Sequence, residues 1–276
     1  MDDLTEYAGT EFSKLLLRTE RVDWARFALE LAADGQRGLD PAPTLQWIQE
    51  RHDELLGPVA TAWSEYDALR RLTDCLAEQH GLIGDPNASA TPDGYYLNRI
   101  IETGRGTPIG LAVLYFIVAQ TLQIDLQPVA SPKRFLTRYE STEGPIFLDP
   151  YDRGRLMDID ECLDWLADVG EPAEVRGRLQ PAGSRRVALH LLNRLKIAHI
   201  QQEDWPAAWR VQQRLFALQP TSYEERRALA ILATKAERLP QAVELLRDCL
   251  QKAPPSDTPL LSAYLRTAEA RLAHCN

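Results

Sequence analysis

Apolar residues between Val22 and His80 recur at spacings of three and four, which predicts helices over residues 22–33, 45–56 and 59–80. In the third, Trp63, Tyr66, Leu69, Leu72 and Leu76 make one stripe with Arg70, Arg71, Asp74 and Glu78 on other faces, so the stripe is expected in the core. Residues 81–94, rich in Gly, Pro, Asn and Asp, read as a long loop, and His80 beside Gly81 reads as a helix C-terminal residue and not as a ligand. A short helix over 95–102 is ended by Thr103-Gly104-Arg105-Gly106. A second begins at once, with Thr107 suited to the N-cap and Pro108 to the first helical position, where its missing N–H costs nothing. From Ile109 to Leu122 nearly every side is apolar, which predicts a helix buried all round. Strand-like runs follow at 126–130, 135–139 and 145–148, the last two joined by a hairpin-like return. Asp149-Pro150 closes the third strand, and residues 152–154 turn into a helix near 159–167. A buried helix followed by an antiparallel sheet is an α+β arrangement.

The C-terminal third repeats itself. Asp204-Trp205-Pro206-Ala207-Ala208-Trp209 recurs as Arg238-Leu239-Pro240-Gln241-Ala242-Val243, an offset of 34 residues (242 − 208), and Pro220 recurs as Pro254. Leu195 with Leu229, Ala198 with Leu232 and Phe216 with Leu250 keep apolar type at that offset. This is the tetratricopeptide period, in which helix hairpins bury their apolar faces by stacking. Residues 259–273 are expected to cap one end, and Trp205 and Trp209 to pack instead of stacking on a ligand. The expected domains are residues 1–180, a helical N-terminal elaboration plus an α+β core, and residues 181–276, the all-α repeats.

A formal net charge of −9 disfavours nucleic acid as a partner. The longest apolar run, residues 111–119, is far short of a membrane span, and Met1-Asp2-Asp3 lacks a basic leader, so no membrane partner and a cytoplasmic location are expected. Cys75, Cys162, Cys249 and Cys275 are scattered without a paired-cysteine or paired-histidine spacing, which predicts neither a disulfide framework nor a metal site. Cys75 and Cys249 are expected to be small buried core residues. No cofactor is expected.

The order of elements has a chemical counterpart. In papain-like and transglutaminase-like folds a reactive Cys stands at the N-terminus of a buried helix, where unpaired N–H groups and the helix dipole favour the thiolate. A His on the following strands takes its proton, and an Asp or Asn orients the imidazole. Four blocks in this chain, Leu97-Asn98-Arg99-Ile100, the run from Arg105 to Tyr115, Pro132-Lys133-Arg134-Phe135-Leu136-Thr137-Arg138 and Phe147-Leu148-Asp149-Pro150-Tyr151, resemble those of the SirB-type family. The resemblance runs from about Leu76 to the C-terminus and implies a transglutaminase-like core joined to tetratricopeptide repeats. It also implies that the nucleophile slot falls on Pro108, where related proteins often have Pro, and that the His of the family's Pro-Gly-His-Phe block is Arg134 here. The acid matches Asp149.

Proline offers no nucleophile, and an arginine cannot shuttle protons near neutrality, so no catalytic residue is expected and Arg134 is expected to pair with Asp149. Cys162 is no substitute, because Asp160 and Glu161 beside it should raise its pKa. His190 and His199 should lie on opposite faces of one helix. Arg105, Thr107, Arg134, Asp149 and Arg153, with Arg155 nearby, are the candidate ligand-binding residues, the arginines for an anion at the helix start. The expected function is a non-catalytic regulatory or scaffolding protein that binds a protein or peptide partner, its oligomeric state open. The competing expectation is a residual hydrolase or acyl transferase acting on peptide amides without a cysteine, for which Thr107 is the one adjoining hydroxyl.

Overall fold

A computed structural model describes residues 7–18 and 22–275, and the chain divides into two compact units between Leu191 and Leu192, with Tyr7 and Ala8 grouped with the second. The fold is α+β, a mixed unit followed by helical hairpins.

The mixed unit starts with α1 (Glu11–Leu16), α2 (Trp24–Gly35) and α3 (Ala42–Ala60). Asp23 caps α2 by accepting from Arg26 N, and Trp24, Phe27, Ala28 and Leu31 are buried at helical spacing. The expected single helix over 59–80 is broken. α3 runs through Pro58 to Ala60, Thr61 Oγ1 donates back to the Gly57 and Pro58 carbonyls, and Ser64 caps a new helix, α4 (Glu65–Thr73), by accepting from Asp67 N. Leu69, Leu72 and Leu76 are buried as expected, but Trp63 is 81% exposed and Tyr66 49% exposed, because both precede or begin the new helix. α4 then widens into a π-helical turn, Asp74–Gln79.

Residues expected to form only a loop supply a short strand. β1 (Ile83–Gly84) pairs in parallel with β2 (Arg105–Gly106), the two flanking α5 (Leu97–Thr103). Gly104 ends α5 at φ +68, a left-handed conformation that suits glycine. α6 (Pro108–Thr121) begins as expected, Thr107 Oγ1 accepting from Gly110 N and donating to the Gly94 carbonyl. Nearly all of its residues are buried, as an apolar helix without a polar face requires.

β3 (Gln127–Ala130), β4 (Phe135–Ser141), β5 (Gly144–Asp149) and β6 (Arg155–Met157) form an antiparallel sheet in sequential order. β6 was not expected. The inner face of the sheet, with Val129, Leu136, Phe147 and Met157, packs against Cys162 and Leu166 from α7 (Ile159–Trp165) and its end, and against Val175 of α8 (Pro172–Arg178).

The second unit takes its helices from α9 (Ser184–Gln201), within which the division falls, then α10 (Trp205–Leu218), α11 (Tyr223–Lys235), α12 (Leu239–Lys252) and α13 (Thr258–Cys275). Ala208 and Ala242, 34 residues apart, are fully buried where neighbouring helices approach. Tyr223 Oη donates to Asp257 Oδ2 at 2.9 Å and Arg227 Nε stands 3.0 Å from the same oxygen, fixing the second hairpin to the start of α13. Among the described residues no helix is long and apolar enough to cross a membrane.

Candidate functional site

The site is built where β4 begins and β5 ends. Ser131 Oγ donates to the Arg134 carbonyl at 2.6 Å, closing the turn between β3 and β4 and holding Arg134 just before β4. Asp149 is the last residue of β5 and caps the Pro150–Asp152 turn, its Oδ1 accepting from Tyr151 N at 3.1 Å and Asp152 N at 3.3 Å. Its other oxygen, Oδ2, meets Arg134 Nη2 at 2.8 Å, so the expected ion pair is present. Asp149 is 1% exposed.

The guanidinium is clamped as well as paired. Arg134 Cζ lies 5.0 Å from the ring centre of Tyr151 and 5.1 Å from that of Trp165, within cation–π range of both. Tyr151 in turn lies flat against Gly84, where a Cβ would come within 2.3 Å of the ring. Gly84 is in register with Gly106, two residues before Pro108, and α6 packs on the Pro150–Asp152 turn. Pro108, half-buried, therefore opens a helix that reaches the Asp149 corner through Tyr151 and the turn, without a hydrogen bond of its own to Arg134 or Asp149.

Electrostatically the pocket is costly. Burial raises the Asp149 pKa above the ordinary carboxylate range, opposed by Arg134 and the two backbone N–H groups and reinforced by Asp152. Tyr115 of α6 has a buried hydroxyl without a hydrogen-bond partner, its ionisation opposed by burial and by Cys75 and Asp149.

The other candidates are dispersed. Arg105 and Arg155 are exposed and make no ion pair among the described residues, while Arg153, in the left-handed region at φ +51, reaches Glu78 at 3.4 Å. Thr107 spends its hydroxyl on the cap. Cys162 is fully buried and its thiol is pushed up to about 12, first by burial and then by Asp149. The carboxylate that acts on it is thus Asp149, and not Asp160 or Glu161, the sequence neighbours expected to act, both of which are exposed. His190 packs edge-on against Phe135 at 5.2 Å, and His199 Nδ1 is 3.1 Å from Asp204 Oδ2.

One surface was missed in the sequence. A cleft of about 830 Å³ is lined by Trp63, Glu65, Tyr66, Glu143, Asp158 and Glu161, among others, and none of its lining residues is Lys or Arg. Glu65 organises it, accepting from Tyr139 Oη at 3.0 Å and Thr142 N at 3.1 Å. Ser64 was the available signal, a capping residue set inside an otherwise continuous apolar stripe.

Comparison with known proteins supports this architecture. Residues 44–193 match the family model described as the transglutaminase-like superfamily, and residues 195–273 match the tetratricopeptide repeat model. A UPF0162 protein of Xylella fastidiosa is 29% identical over 154 residues, covering 54% of this chain and 55% of that protein. Protein SirB1 of Salmonella typhimurium is 23% identical over 176 residues, 63% of this chain and 65% of its own. F-box only protein 21 of Mus musculus is 31% identical over 75 residues, 24% of this chain and 12% of the mouse protein. The chain thus spans about half to two thirds of the length of these two bacterial relatives, and no solved structure matches it. With more than half its length in the first family and its remaining helices in the second, the chain belongs to the transglutaminase-like superfamily, in the SirB-type form that carries tetratricopeptide repeats.

Proposed function

We propose that this chain is a non-catalytic regulatory or scaffolding protein, a transglutaminase-like core turned to structural use and joined to repeats that bind a protein or peptide partner. The observation that carries the reading is the buried Arg134–Asp149 pair at 2.8 Å. On the family pattern, Asp149 is the acid that would orient a histidine. Here that carboxylate is held by a guanidinium that lies within cation–π distance of two rings, and Pro108 in the nucleophile slot has nothing to donate. A carboxylate so engaged stabilises the β4–β5 corner and moves no proton.

The binding half of the reading rests on the repeats. Ile197 of α9 is 43% exposed, and the 34-residue period puts it in line with Ile231 of α11 (231 − 197) and Leu265 of α13 (265 − 231), each only partly buried. Leu265 also packs against the core of the last helices, so Ile197 and Ile231, on the first helices of the two stacked hairpins, are the apolar pair suited to a partner helix or an extended peptide. The domains proposed are the core over residues 1–180 and the repeats over 181–276. Affinity capture from extract of the source cell, with the intact chain and with Ile197→Glu, tests the reading. Partners held by the intact chain should be lost from the variant, and identical partner lists would remove this apolar pair as the docking surface.

A further inference from the structure

We propose that Glu54, Cys75 and His80 form a zinc site at the junction of α3 and the π-helical turn. One ligand atom from each of these three side chains lies within 4.8 Å of the others. They come from two separate segments, Glu54 from α3 and the other two from the turn that extends α4.

The turn itself is the second observation. Five residues of α-helix rotate the chain by about 500°, which would leave Cys75 and His80 roughly 140° apart and facing different neighbours. Here the ladder changes to i→i+5, with His80 N donating to the Cys75 carbonyl at 3.0 Å, so the two residues stand one above the other. π-turns are rare and concentrate at functional positions. This one spans the two residues whose side chains it brings together.

The donor set selects the ion. One thiol, one imidazole and one carboxylate suit zinc, and a single carboxylate is too few for calcium or magnesium, which need several oxygens. Arg51 Nε already donates to Glu54 Oε2 at 2.8 Å, the oxygen His80 Nε2 meets at 2.9 Å, and this guanidinium further disfavours a hard cation held by charge alone. Ligand atoms around a tetrahedral zinc ion at ~2.0–2.3 Å stand roughly 3.3–3.8 Å from one another, so rotamer shifts of about 1 Å close the set. Glu54 and His80 are partly open to water while Cys75 is buried, giving the ion an entrance and a solvent-side fourth position. Zinc takes cysteine as the thiolate, so binding releases the Cys75 proton to solvent as the sulfur–metal bond forms.

Cobalt(II) added to the chelator-treated full chain tests the site. The expected result is one cobalt per chain with a thiolate charge-transfer band that zinc abolishes, and with a proton released on binding. Cys75→Ser should lose the band. His80→Ala, whose side chain lies at the surface and whose folding circular dichroism can verify, should weaken zinc binding by about ten-fold or more. No stoichiometric uptake, a band that survives Cys75→Ser, or zinc affinity unmoved in His80→Ala would each overturn the proposal.

Discussion

Asp149→Ala removes the carboxylate that Arg134 meets at 2.8 Å and that two backbone N–H groups of the Pro150–Asp152 turn also use. With Asp149 1% exposed and the Arg134 side chain 24% exposed, the pair belongs with buried ion pairs. Removing one partner there costs about 3–5 kcal/mol, against ~0–1 kcal/mol at the surface. The open quarter of the arginine can rehydrate, which places the expected loss near the lower end, about 3 kcal/mol. In a unit of this size that lowers Tm by roughly 6–12 °C. Arg134→Leu should cost a similar amount, since it strands a buried carboxylate and loses the stacking on Tyr151 and Trp165. The double variant should recover part of the sum, a coupling of about 2 kcal/mol in a double-mutant cycle measured by urea unfolding with far-ultraviolet circular dichroism. A coupling below about 0.5 kcal/mol would mean that the two charges are solvated independently, and the reasoning would fail.

Three other outcomes follow from the burial of Asp149, from the packing of the Tyr151 ring against Gly84 and from the burial of Cys75, Cys162 and Cys249. Because burial raises the Asp149 pKa from its ordinary 3.8, the native chain holds that proton more tightly than the unfolded one. The associated stability is complete below 3.8 and is lost as pH rises through the raised value. The stability of the wild type relative to Asp149→Asn should therefore decrease with pH across that window in urea titrations, and a difference that grows instead contradicts the assignment. Gly84→Ala drives a Cβ to within 2.3 Å of the Tyr151 ring and should cost about 1–3 kcal/mol by the same unfolding measurement, with no loss if the ring is free to leave. Burial pushes the thiols of Cys75 and Cys162 up to about 12 and that of Cys249 upward, so in a Cys275→Ser background the metal-free native chain should react with a disulfide reagent only as it unfolds. A thiol that reacts within seconds would contradict this.

Local chemistry was readable in the sequence wherever a few adjacent residues decide the outcome. Thr107 and Pro108 announce the start of α6, the apolar run after them announces its burial, and Ala208 and Ala242 mark the repeat. The Arg134–Asp149 contact was legible only through the order of the family blocks, since fifteen positions (149 − 134) of strand and turn separate the partners. What escaped depends on distant or weak signals. β1 and β2 are two residues each and pair across α5, too short for any period to appear. β6 is three residues long and is defined by its register with β5. The break before α4 hinges on one capping serine set against a stripe that continues on either side, and the π-turn leaves no periodic trace, so Cys75 and His80 read as a core residue and a helix end. Cys162 was expected to feel its sequence neighbours, whereas the sheet brings Asp149 to it.

The proposed role of Asp149, paired with Arg134 at the acid position of a transglutaminase-like core, is structural and moves no proton. Its most direct measurement is amine incorporation into, and amide hydrolysis from, a glutamine-containing peptide by the purified full chain, run beside Asp149→Asn. Product should stay at the no-protein background for both. Turnover by the intact chain that disappears in Asp149→Asn would contradict it.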